Sequence, residues 1–142
     1  MITDVAQAFM ARYNESPVGD QLRAVLLSLW FTQAAWTDDG EVYPYAVFTF
    51  DGSNVDEIAG DRRSAIETAS ITVSIYSEND DGGEEIFDIV QKFIELYDWQ
   101  TLTYPAGSEY SHFKCQRMSL INRGKVDNVW TIDLIYEVGF NH

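Results

Sequence analysis

Residues 129–140 alternate without a break. Trp130, Ile132, Leu134, Tyr136, Val138 and Phe140 fall on one parity, and Val129, Thr131, Asp133, Ile135, Glu137 and Gly139 on the other. Successive side chains of a strand point to opposite faces, so this segment is predicted to be a strand with one face buried. The chain must therefore build a sheet and cover its apolar side. The polar parity carries no group arranged for chemistry, which favours a structural role over a catalytic one.

The cover is legible upstream. Ile86, Ile89, Val90, Phe93, Leu96 and Tyr97 recur at helical spacing, which predicts a long helix from about Gly83 to Trp99. Glu84 and Glu85 fall in its first turn, where the helix dipole favours negative charge. An amino-terminal helix carries Val5, Ala6, Phe9, Met10 and Tyr13, with Thr3 as its cap and Pro17 beyond its end. Asp20 is expected to cap a short second helix bearing Leu22, Val25, Leu26 and Leu29. Beyond it, residues 30–32 have the composition of an extended segment.

Further strands are predicted at 45–50, 66–77 and 113–121, with a short one at 102–104. Turns or loops are predicted at 37–40, 51–64, 79–83, 105–111 and 122–124, the last because Asn122 and Gly124 tolerate positive φ. The expected fold is α+β: a mainly antiparallel twisted sheet of four or five strands packed against one long helix, plus an amino-terminal helix, in a single domain over 1–142.

Charge narrows the function classes. Nine Lys and Arg stand against 23 Asp and Glu, a formal net charge of −14. Affinity for nucleic-acid phosphates comes mostly from cationic contacts, so specific binding of nucleic acid or of an anionic membrane is not expected. Cys115 is the only cysteine, which excludes an intramolecular disulfide and fits a reducing cytoplasm. No signal peptide is read at the start, and no apolar run approaches the ~20 residues of a membrane span.

A search for catalytic or metal-binding constellations finds none. His112 and Cys115, three apart on a strand, are expected on opposite faces. Residues 78–85 have the composition of a calcium loop without its ligand spacing. Gly82 and Gly83 precede a helix, but two following glutamates would repel a phosphate. Asp133 and Glu137 share a strand face ~13 Å apart, too far for an acid/base pair. No cofactor is implied.

The basic residues are more informative. Lys114, Arg117, Arg123 and Lys125 gather near the last hairpin, and Arg62 and Arg63 lie in the long loop with Asp56. Ordinary cross-strand pairing with Asp127, Asp133 or Glu137 explains the first group. The functional alternative is an interface, with Asp133 and Glu137 facing water or a neighbouring subunit.

In the order of its parts the chain resembles the tail-terminator and tail-completion (head–tail joining) proteins of long-tailed bacteriophages. The resemblance is carried by the amino-terminal helix (3–13), the run 29–35 leading to 43–50, the strand 67–77 followed by the helix 83–97, and the closing aromatic hairpin. It implies a non-catalytic α+β subunit of the virion, assembled in the host cytoplasm. Such subunits close into a ring, commonly a homo-hexamer, on the tail tube or head-completion proteins, with DNA passing through the lumen. An acidic lumen would repel the duplex. The alternative is an adaptor that binds one partner without closing on itself.

Overall fold

The computed structural model describes residues 2–26, 28–31, 43–57, 65–78, 81–103 and 111–141. The elements run α1 (Ile2–Asn14), α2 (Asp20–Val25), β1 (Ser28–Phe31), β2 (Tyr45–Glu57), β3 (Ala65–Ser77), α3 (Glu84–Tyr97), β4 (Gln100–Thr101), β5 (Ser111–Val126) and β6 (Val129–Asn141). The strands form one six-stranded sheet in the order β1-β2-β3-β6-β5-β4. All neighbours are antiparallel except β1 and β2, which run parallel.

This corrects the expected architecture. The structure is mostly sheet, 51% strand, and the sheet is a mixed, strongly curled half-barrel with short helices. It is not four or five antiparallel strands against one long helix. Lengths explain the difference. The 14 residues of α3 reach about 21 Å, whereas a 13-residue strand such as β6 reaches about 43 Å. One helix cannot cover such strands, so α1, α2 and α3 share the work.

The helices pack on the apolar parity of the sheet. Ile86, Ile89, Val90, Phe93, Leu96 and Tyr97 are all buried, as their spacing predicted. They meet Ala69, Ile71, Val73 and Ile75 of β3 and Ile132, Leu134, Tyr136 and Val138 of β6 in one core. At its centre the rings of Phe9 and Tyr97 stack 4.1 Å apart, and the Tyr97 hydroxyl donates to the Phe9 carbonyl at 2.6 Å. Phe48 and Tyr136 close around them at 4.9 and 6.0 Å from Phe9. Arg12 donates from Nε to the Leu96 carbonyl at 3.1 Å, satisfying a group at the end of α3 that the helix itself leaves open.

Local signals are met in different ways. α3 is capped by Asp81, whose carboxylate accepts from the backbone N–H of Gly83 and Glu85 at 3.2 and 3.1 Å. α2 begins at Asp20 itself, with Gly19 in the cap position; Asp20 instead pairs with Arg23 and accepts from the Ser16 hydroxyl. α1 begins at Ile2, ahead of the expected cap.

Three predicted loops or turns are strand, wholly or in part. Residues 51–57 continue β2 past a bulge at Gly52, and Ser111 opens β5. Residues 122–124 are a bulge inside β5, where Gly124 has φ 75° and donates to the Asn122 side chain. The hairpin turns at Asp127 and Asn128, both with positive φ, as a two-residue type I′ connection requires. The short strand expected at 102–104 lies two residues earlier, as β4. The expected turn at 37–40, and residues 58–64 and 105–110 of the two loops, lie outside the described residues.

Replacing Phe93 with alanine should lower unfolding free energy by ~3–5 kcal/mol, because the ring is fully buried. Phe87→Ala, on the half-exposed side of the same helix, should cost under ~1 kcal/mol. Urea titration separates the two. Burial also pushes the phenols of Tyr97 and Tyr136 well above their usual range. Groups raised in the folded state stabilise it fully below their unfolded pKa, about 10, and that stability is lost as pH rises toward the folded value. The urea midpoint should fall between pH 9 and pH 11, and a flat profile would contradict their burial.

Candidate functional site

β5 carries Lys114, Arg117, Arg123 and Lys125 and no acidic residue, in a chain with nine Lys and Arg in all. The alternating backbone and the bulges of this strand decide where each cation goes. Lys114 lies 5.9 Å from the centre of the Trp99 ring, and Arg117 pairs with Asp98 through Nε at 3.0 Å. Both therefore meet the turn that follows α3. At the other end, Lys125 lies 5.9 Å from the Trp130 ring. Arg123 sits in the bulge, where the extra residue lets it reach across the sheet face to Asp133 at 2.6 Å.

Asp133 departs from its expected setting. It is buried, at 5% exposure, and Arg123 is its ion-pair partner. Its Oδ1 has no hydrogen-bond partner among the described residues. A charge in that position is held by one guanidinium, so Asp133 is not part of an open acidic wall. Glu137 is half-buried on the same parity and lines a shallow cleft of about 190 Å³ with Thr68, Lys114, Gln116 and Gly139. Asp56 lies in β2 opposite Ile66. Arg62 and Arg63 lie outside the described residues.

Nothing in this set forms a nucleophile with a base. Cys115 is completely buried, and burial pushes its thiol well above the ordinary range, which leaves it inert as a nucleophile. Among the described residues no three His, Cys, Asp or Glu side chains gather to hold a metal. No described helix is long and apolar enough to cross a membrane.

Sequence reasoning missed the apolar part of this surface. Met118, Leu120, Ile121 and Val126 are exposed on β5, and Trp30 and Phe31 on β1, so both sides of the sheet present large apolar groups to solvent. The available signal was the adjacent pair Leu120–Ile121, which no single buried face can absorb. The shifts at Met118 and Arg123 then send consecutive stretches of β5 to different faces.

No protein-family model and no curated protein sequence matches the chain. Among solved structures it is similar to a chain described as "Virion of native gene transfer agent (GTA) particle", with TM-score 0.61 and 12% identity over 100% of this chain and 95% of that one. A second solved structure matches with TM-score 0.50 and 16% identity over 97% and 96% of the two chains. At these identities the likeness is one of fold, and it spans essentially the whole of both partners.

Arg123→Ala should destabilise the protein by about 2–3 kcal/mol. It strands a buried carboxylate, and the cost stays below that of a fully buried pair because Arg123 is itself 58% exposed. Lys114→Ala, which removes only an exposed contact with Trp99, should cost under ~1 kcal/mol. Equal effects in chemical denaturation would show that the Asp133 pair has no special weight.

Proposed function

We propose that this chain is a non-catalytic structural subunit of a phage-like virion, one that closes into a ring, with six copies the expected number, on the end of the tail tube or between tube and head. The observation that carries this reading is the full-length likeness of fold to a chain of a gene transfer agent particle. It agrees with the order of parts that resembles tail-terminator and tail-completion proteins. The partners are other copies of the chain and the tube or head-completion proteins, and the place is the virion.

Charge suits a passage for DNA. A ring of subunits each at −14 presents a predominantly negative lumen, and like charge keeps a duplex from adhering to the wall. β5 is the exception, which favours placing it at a protein contact and away from the passage. Mixing the purified protein with phage-type tail tubes and imaging by cryo-electron microscopy tests the reading. The expected result is a closed ring with an acidic central hole at one tube end. A single copy bound to the tube, or a basic hole, would overturn it.

A further inference from the structure

The sheet register places exposed apolar side chains at both ends of the same cross-strand rows. Phe31 of β1 is opposite Phe48, Phe48 opposite Val73, Val73 opposite Leu134, and Leu134 opposite Leu120 of β5. The next row runs Trp30, Val47, Ser74, Asp133, Ile121. The inner members of both rows are buried or half-buried. The terminal members are exposed: Phe31 43% and Leu120 40% in one row, Trp30 47% and Ile121 41% in the other.

We infer that one copy of the chain docks its β1 on β5 of the next, continuing the sheet so that Phe31 meets Leu120 and Trp30 meets Ile121 across the junction. This deepens the ring reading and rests on it. Among the described residues β1 ends the sheet on one side. On the other, β4 covers only Lys114 and Cys115, and no further described strand lies beside β5 past that point. An edge with large exposed apolar groups is a template for another strand unless it is blunted. β1 carries no proline and no charge, and although β5 has bulges near Met118 and Arg123, residues 119–122 between them keep an unbroken register as long as β1 itself.

Direction fits as well. β1 is parallel to β2, and three antiparallel steps lead from β2 to β5, so β5 runs opposite to β1. A copy added side by side therefore brings β5 and the next β1 together as an antiparallel pair. The contact joins different patches on the two copies. Such heterologous contacts close into rings when each addition turns the next subunit, and the strong curl of the sheet supplies a turn.

Charge selects a second copy as the occupant. Two chains at −14 repel each other over most of their surface. That repulsion is least along the proposed junction, because β1 carries no charge and the cations of β5, two of them paired with acids of their own chain, offset the negative field there.

Paired cysteine variants test the junction, since the native Cys115 is buried and unreactive. Opposed residues in an antiparallel pair have Cα atoms about 4.5–5.5 Å apart, within disulfide reach. The full-length Phe31→Cys/Leu120→Cys and Trp30→Cys/Ile121→Cys variants, oxidised at millimolar concentration, should give a ladder of covalent multimers. Single variants should stop at dimers. Phe31→Cys/Val126→Cys, about 20 Å out of register, should not form a ladder. In the unmodified protein, amide exchange at 28–31 and 118–126 should slow together as concentration rises. Oligomers seen by light scattering without in-row cross-links or this protection would overturn the junction while leaving ring formation standing. Absence of any oligomer would overturn the junction too, and tube binding would still judge the virion reading separately.

Discussion

The contact between Tyr97 and Phe9 holds the two main helices in one position. Their rings stack at 4.1 Å, and the Tyr97 hydroxyl donates to the Phe9 carbonyl at 2.6 Å, so α3 grips α1 through both an apolar and a polar bond. Buried polar groups are costly without a partner, so the phenol can occupy the core only where α1 presents that carbonyl. Phe48 and Tyr136 fit around the stack from β2 and β6, which sets the helix layer over the middle strands. The sheet is wider and its strands longer than this layer. Everything unusual about the surface follows: β1 at one side and most of β5 at the other stand beyond the cover, and their apolar residues are left exposed.

How much of this could be read in one dimension depended on whether a signal was periodic. The stripe of α3 was complete, six positions for six, because the helix lies flat on a core that buries each of them. β6 was equally plain from Ile132 to Val138 because β3 and β5 flank it along most of its length. Residues 51–57 looked like a loop because Asp51, Gly52, Asn54, Asp56 and Glu57 are turn-forming or charged. In the fold they extend a hairpin with β3, where backbone pairing decides the conformation and side-chain polarity does not. β1, at four residues, was too short to show alternation at all. At the last turn Asn122-Arg123-Gly124 outcompeted Asp127-Asn128 on composition, yet only Gly124 of the first segment adopts positive φ, whereas Asp127 and Asn128 both do, and the register makes the first a bulge and the second the turn.

The candidate surface was half legible for the same reason. Clustering of four cations on one stretch is a property of order along the chain, and it survived intact. Their partners are a property of register, and they met expectation in part. Arg123 pairs with Asp133 across the β5–β6 hairpin, one of the expected cross-strand partners, whereas Arg117 reaches Asp98 at the end of α3, nineteen positions away. Parity alone placed Asp133 on the wet side of β6. The curled sheet and the arch of Arg123 over it remove that side chain from water.

These pieces constrain one another in a way that bears on assembly. At a net charge of −14 copies of the chain repel one another, and exposed tryptophan, phenylalanine, leucine and isoleucine at the sheet edges add nothing to that repulsion. Retaining them makes sense where a partner covers them. The cations of β5 are arranged accordingly. Arg117 and Arg123 are tied to acids of their own chain, and Lys114 lies over Trp99, so none of these three projects as a loose positive charge that would capture DNA. What they do is remove the net negative field from the strand that carries Met118, Leu120 and Ile121. An apolar edge in a locally neutral setting, on an otherwise acidic molecule, can accept an acidic neighbour at that edge while the remaining surfaces keep copies apart. Polarity of that kind produces directional, one-sided addition, and addition along a curled sheet is the geometry from which a closed ring is built.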